Sequence, residues 1–139
     1  ALPIYNAPDI NVSVINALTA ANDVLIPVEV DDNTLEGMHE LLKQIQEVKE
    51  ELNPDLENVR CFISKYQKGN PAHVQGAEII RDYYPTMETI IRFSGVVARS
   101  TFMRAPVALH SSRSAAAEDY ELLVTEYLDM IGGAQDGEI

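Results

Sequence analysis

"DVLIPVEVDDNTLEGMHELLKQIQEVKEELNPDLENVRCFISKY", residues 23–66, is the stretch whose reading decides the fold. It opens on the apolar run 23–30, bounded by polar residues. Continuous runs of this kind mark strands covered on both faces, as in parallel sheets. Pro27 has no amide to give a ladder, so the strand should end or bend there. A helical pattern follows, with Leu35, Met38, Leu41, Leu42, Ile45, Val48 and Leu52 recurring at helical spacing. Asn33 or Thr34 can cap its start, and Glu36 and Glu40 suit its positive end. Asn53-Pro54 stops it, and "NVRCFISKY", residues 58–66, reads as a second strand. Strand, helix and strand in that order predict a parallel arrangement joined by a crossover.

The alternation continues on both sides. Upstream, "LPIYNAP" reads as a short strand ended by a proline turn. "DINVSVINALTAA" reads as a helix with Ile10, Val14, Ile15 and Leu18 on its apolar side and Asp9 or Asn11 as N-cap. Downstream, "QKGNP" is a loop and "AHVQGAEIIRDYY" a helix ended by Pro85. "METIIRF" reads as a strand, and "SGVVARSTFMRAPVALHSSRS" as mostly loop with short ordered pieces. "AAAEDYELLVTEYLDMI" reads as a helix with Tyr120, Leu123, Val124, Tyr127, Leu128 and Ile131 on one face. The expected fold is α/β, a doubly wound and mostly parallel sheet with helices on both faces. Residues 1–131 are expected to form one domain, and 132–139, "GGAQDGEI", a flexible tail.

With 139 residues and an apolar fraction of 46%, the chain can bury a core. No apolar run approaches the roughly 20 residues of a membrane span, and no basic-then-apolar leader opens the chain. The single cysteine, Cys61, fits a reducing, cytoplasmic setting. The sequence opens at Ala1, without Met, in an expected strand, which suggests a fragment or a processed product. The net charge of −12 argues against nucleic acid as a partner until its distribution is read. Residues 1–59 carry 2 Lys/Arg and 12 Asp/Glu; residues 60–113 carry 8 and 3; residues 114–139 carry 0 and 7. A basic block between acidic flanks can bind phosphate backbones if it folds into one surface, or it can scatter over several solvated faces.

Taken together, "NAPDINVSVINALTAANDVLIPVEVD", "TLEGMHELLKQIQEVKEELNPDL", "VQGAEIIRDYYP", "IIRFSGVVARSTFMRAPV" and "SSRSAAAEDYELLVTEYL" resemble the C-terminal part of ParA-type partition ATPases, in the ParA/MinD group of deviant Walker P-loop proteins. The resemblance covers nearly the whole chain, in the family's order. It implies the C-terminal part of a P-loop NTPase fold that binds ATP and Mg²⁺ and forms a homodimer around ATP. It also implies non-specific DNA binding, a centromere-binding partner protein and no membrane partner.

Two departures qualify what the resemblance implies. The family's glycine-rich K-G-G-x-G-K-[ST] loop, whose amides and lysine cradle phosphates, does not occur; the adjacent glycines Gly132-Gly133 have neither Lys nor Ser/Thr beside them. The family also places an Asp at the strand end before the proline turn, where it reaches Mg²⁺. Here the turn is Tyr5, Asn6, Ala7 and Pro8, and neither Tyr5 nor Asn6 supplies a carboxylate. Asp9 lies beyond the turn, where an N-cap role is the ordinary reading. The nucleotide site is therefore expected to be degenerate and incomplete, with no catalytic residue assigned and no ATP or Mg²⁺ bound by this chain alone. Catalysis is left open by the resemblance, since the family is an ATPase.

The resemblance implies phosphate contact by Arg92 and Arg113, while Arg99, Arg104, Lys65 and Lys68 of the same basic block read equally as phosphate contacts or as solvated surface charges. No aromatic interleaving suggests base stacking. Pro27, Glu29 and Asp31 lie at the C-terminal end of a strand, where open α/β sheets place ligands. The resemblance implies that this loop faces nucleotide and dimer partner; a plain strand-to-helix turn is the alternative. His39, His73 and His110 share no ligand spacing with Cys61, so no metal site is expected. Cys61 reads as a core residue, and Ser111, Ser112 and Ser114 carry no nucleophile pattern. Tyr83-Tyr84 and Tyr120/Tyr127 read as packing residues. Three functions remain: part of a partition ATPase, a non-catalytic module binding DNA or a ParA-like partner, or an unrelated flavodoxin-like ligand domain.

Overall fold

The computed structural model describes residues 3–5, 11–31 and 34–135. In chain order the elements are α1 (Val12–Ala20), β1 (Asp23–Glu29), α2 (Thr34–Glu51), β2 (Asn58–Ser64), α3 (Pro71–Tyr83), α4 (Gly95–Phe102), α5 (Val107–His110) and α6 (Ala115–Gln135). β1 and β2 are parallel neighbours joined through α2, and the fold is α/β. Over the described residues the chain divides into two compact units, one from 1–26 and 32–60, the other from 27–31 and 61–139. Among the described residues no helix is long and apolar enough to cross a membrane.

In the first unit, α1 starts at Asn11, whose side-chain oxygen accepts the amides of Ser13 at 2.9 Å and Val14 at 3.3 Å. Asp9, the other candidate cap, lies outside the described residues. α2 buries Met38, Ile45 and Val48, the centre of the apolar stripe. The stripe's ends stay out, with Leu35 40% and Leu52 53% exposed. Beyond α2 the chain turns at Asn53, which does more than stop a helix. Its buried amide donates to the carbonyls of Leu18 at 2.8 Å and Ala21 at 2.7 Å, at the end of α1, where the Leu18 carbonyl also accepts the Ala21 amide at 3.4 Å. Glu57 N–H to Asn22 C=O (2.7 Å) and Asn58 to the Asp23 carboxylate (2.7 Å) tie the starts of β2 and β1 together. Leu56, fully buried, fills the turn between them.

The second unit is built around Cys61, Ile63, Ile80, Met87, Ile91 and Leu123, all buried. Cys61 is a core residue, as expected. α3 is capped by the Asn70 side chain, which accepts the Ala72 amide at 3.0 Å, with Pro71 at its first position. It passes so close to Val30 that a Cβ on Gly76 would stand 2.3 Å from the valine's Cγ1. Tyr120, Tyr127, Phe62 and Met130 pack around Met87, Ile91 and Leu123. Tyr83, expected to pack, is 75% exposed.

Four expectations about elements need correction. Pro3–Tyr5, the described part of the expected opening strand, has no strand assignment. Residues 87–93 are not a continuous strand. They meet the chain at Cys61–Tyr66 through two isolated parallel bridges, Cys61 with Thr86 just before the segment and Tyr66 with Arg92, and through the Ile91 amide, which donates to the Ile63 carbonyl at 2.9 Å. Between the bridges the amides of Glu88 and Thr89 turn away to the Glu126 carboxylate, at 2.6 and 2.9 Å, which interrupts the ladder. Residues 94–114 are more helical than expected, because Ser94 caps α4 by accepting the Val96 amide at 3.3 Å. α6 runs through Gly132-Gly133 to Gln135 rather than stopping at 131.

Candidate functional site

Every basic residue singled out in the sequence lies in the second unit: Lys65, Lys68, Arg92, Arg99, Arg104 and Arg113, all exposed. Their electrostatic situations differ. Lys65 follows β2 directly and forms an ion pair with Glu29, both side chains more than half exposed. Such a pair is worth only about 0–1 kcal/mol.

Arg92 is held far more firmly. Its backbone amide donates to Asp119 Oδ2 at 2.9 Å. Its guanidinium grips the same carboxylate from Nε (2.9 and 3.1 Å) and from one terminal nitrogen (2.7 Å), and that terminal nitrogen also reaches the Ala115 carbonyl at 3.1 Å. Glu118 adds a second carboxylate at 3.8 Å. Burial pushes the Asp119 carboxyl up, but the hydrogen bonds and charge of Arg92 outweigh it and hold the group below its ordinary value. The Asp119 hydrogen bond in turn raises the Arg92 guanidinium. Arg92 is thus oriented and locally neutralised.

Lys68, Arg99, Arg104 and Arg113 are different. Among the described residues none of them forms a salt bridge. Arg104 sits at φ 52° and Lys65 at φ 51°, left-handed backbone that side-chain-bearing residues seldom adopt. The strain at each is of order 1 kcal/mol and persists where neighbours fix the chain. For Arg104 the fixing is local: its amide donates to Thr101 C=O and the Ala105 amide to Ser100 C=O, each at 3.0 Å, closing the end of α4. Phe93 and Phe102, 60% and 86% exposed, stand in sequence next to Arg92 and between Arg99 and Arg104.

The other candidates are placed as follows. Tyr5 is 91% exposed, and Asn6, Ala7 and Pro8 lie outside the described residues. Pro27 and Glu29 are exposed positions of β1, and Asp31 follows its end. His73 accepts the Gln67 amide at Nδ1 (3.3 Å) and meets the Tyr66 ring edge-on at 6.1 Å. Ser114 caps α6, accepting the Ala117 amide at 3.3 Å. Among the described residues no three His, Cys, Asp or Glu side chains gather as a metal ion would need.

Sequence reasoning missed Asp119 and Glu126. Their signal was there: with Leu123 and Met130 they occupy positions one turn apart on the face of α6 that packs inward, where an acid needs a partner. Burial also pushes the Glu126 carboxyl up, and hydrogen bonds from Thr89 and Glu88, with the nearby Arg81, bring it below its ordinary value.

A family described as "AAA domain" matches residues 4–58. The chain is 28% identical over 123 residues to "Chromosome partitioning protein ParA" of Caulobacter vibrioides, covering 87% of this chain and 46% of that protein. It is 31% identical over 124 residues to "Chromosome partitioning protein ParA" of Myxococcus xanthus, covering 87% and 44%. It is 29% identical over 121 residues to "Sporulation initiation inhibitor protein Soj" of Bacillus subtilis, covering 86% and 48%. The chain spans about half the length of the curated relatives it matches.

Proposed function

Because the chain belongs to the ParA-type partition ATPase family, we propose that it takes part in segregating chromosomal or plasmid DNA, holding duplex DNA without sequence preference through the second unit. The observation that carries this reading is the set Lys68, Arg99, Arg104 and Arg113, exposed in one unit with no salt bridge among the described residues. Cations without a protein partner are free to displace counterions from phosphates, the main source of non-specific affinity. Phe93 and Phe102 add exposed rings in the same unit. Arg92, positioned by Asp119, and Lys65, paired with Glu29, contribute less.

ATP hydrolysis, a homodimer around ATP, a centromere-binding partner and a cytoplasmic setting belong to this proposal as properties of a longer ATPase. The residues described here do not fit a Mg²⁺·ATP site. The sequence holds no glycine-rich Lys-Ser/Thr loop, Tyr5 offers a phenol rather than a carboxylate, and no cluster of metal-binding acids forms among the described residues. No hydrolytic step is therefore assigned to this chain. The same observation favours a second reading, a non-catalytic module that binds DNA or a ParA-like partner.

Two measurements test the proposal. Fluorescence anisotropy with labelled duplexes of unrelated sequence should give equal affinities that fall steeply with salt; salt-independent or absent binding rejects the DNA reading. Calorimetric titration with Mg²⁺·ATP should give no heat, and micromolar binding would show that the site is complete.

A further inference from the structure

Two surfaces of opposite character stand open on this chain. In the first unit, α1 and α2 leave a groove of about 320 Å³. Its apolar floor includes Ile15 and Leu52, 36% and 53% exposed. Its rim is acidic, with Glu40, Glu47 and Glu51 around a lone lining cation, Lys43. Gln44 donates to Glu40 at 2.8 Å, while Glu47 and Glu51 have no salt bridge among the described residues. The groove is preformed, because Asn53 pins the end of α1 to the end of α2.

In the second unit, α4 and α5 pack on each other and present the reverse. Phe102, Met103 and Leu109 are 86%, 60% and 82% exposed. Arg99 and Arg104 stand on α4 and its terminal turn without a salt bridge among the described residues, and the left-handed Arg104 makes that turn tight. Aromatic side chains, Met and Arg are the residue types that interface cores favour.

We propose that the α1–α2 groove of one copy receives the α4–α5 knob of a second copy. Phe102 would enter against Ile15 and Leu52, while Arg99 and Arg104 meet Glu47 and Glu51. A second copy is the occupant that the molecule itself argues for, since one chain carries both the acidic apolar groove and the basic apolar knob. The contact joins two different patches, and a single such contact leaves one groove and one knob open. Association therefore grows with concentration, whether the contact repeats from copy to copy or is made twice between the same two copies. Salt weakens it, because charge complementarity sets its register. This inference goes beyond the partitioning reading and does not rest on it.

Sedimentation velocity of the 139-residue chain over a concentration series tests it. At low salt the wild type should associate as its concentration rises, and at high salt it should return to monomer. Phe102→Asp removes the knob, and Leu52→Asp with Glu47→Arg removes the groove. Each should weaken association about tenfold or more. An equimolar mixture of the two variants should recover a dimer that grows no further, because one intact groove and one intact knob remain. A wild type that stays monomeric throughout, variants that assemble as the wild type does, or a mixture that stays monomeric would overturn the proposal. Circular dichroism checks folding, and Leu109→Asp or Glu51→Arg replaces a variant that fails it. Leu52→Asp leaves every arginine in place, so its DNA affinity reads the DNA proposal separately.

Discussion

Residues 23–66 and residues 85–114 are held in contrasting ways. The first stretch is strand, helix and strand, fixed by a parallel pairing and by an apolar stripe whose centre, Met38, Ile45 and Val48, is buried. Its stabilising residues lie within the stretch itself, including Asn58 and Asp23, which join the starts of its two strands. The second stretch meets Cys61–Tyr66 at two isolated bridges and at the bond from the Ile91 amide to the Ile63 carbonyl, while the amides of Glu88, Thr89 and Arg92 are taken by carboxylates of α6. The order of its first part therefore depends on Asp119 and Glu126, which lie outside the stretch. A regular stretch tolerates the loss of one polar group, whereas a stretch held by two carboxylates depends on each.

The largest effect expected from breaking this contrast is in the first stretch. Ile45→Ala should cost about 2–5 kcal/mol, through lost burial and the cavity left behind, read as a lower urea midpoint. Next comes Glu126→Ala, which leaves the Glu88 and Thr89 amides without their acceptor, at a cost of about 1–3 kcal/mol. Hydrogen exchange should accelerate at those two amides while α2 stays protected, and an unchanged rate would refute the interrupted-ladder account. Acid should act on the same place. The Asp119 and Glu126 carboxyls lie below their ordinary values in the fold, so their stabilisation is present above about pH 4 and lost as pH falls through the lowered values. Glu126→Gln should flatten that acid limb, measured as urea midpoint against pH. The smallest effect belongs to Lys65. Lys65→Gly relieves a φ of 51° while losing an exposed ion pair, so the net change should stay within about 1 kcal/mol of zero.

What was legible in the sequence followed the same division. The helix at 34–51 and the strands at 23–29 and 58–64 announce themselves through local periodicity, and the structure places them close to where the pattern does. The strand expected at 87–93 has the right composition, but Glu126 competes for its amides, and nothing within the segment reports that competition. The arginine-bearing stretch read as mostly loop conceals Ser94, a one-residue cap that is enough to start α4. The basic residues were legible as a block. Which of them are neutralised was not, because Asp119 lies 27 positions beyond Arg92.

The measurement that tests the central claim most directly compares, in one assay, Arg92 with arginines that form no salt bridge among the described residues. DNA affinity is followed against salt for the wild type, Arg92→Ala, Arg104→Ala and Arg113→Ala. Each phosphate contact contributes about 0.9 to the slope of log affinity against log salt. The account predicts that Arg104→Ala and Arg113→Ala each weaken binding and lower the slope by about 1, while Arg92→Ala, whose guanidinium is held by Asp119, changes it less. Unchanged binding in Arg104→Ala and Arg113→Ala, or a larger loss in Arg92→Ala, would contradict it.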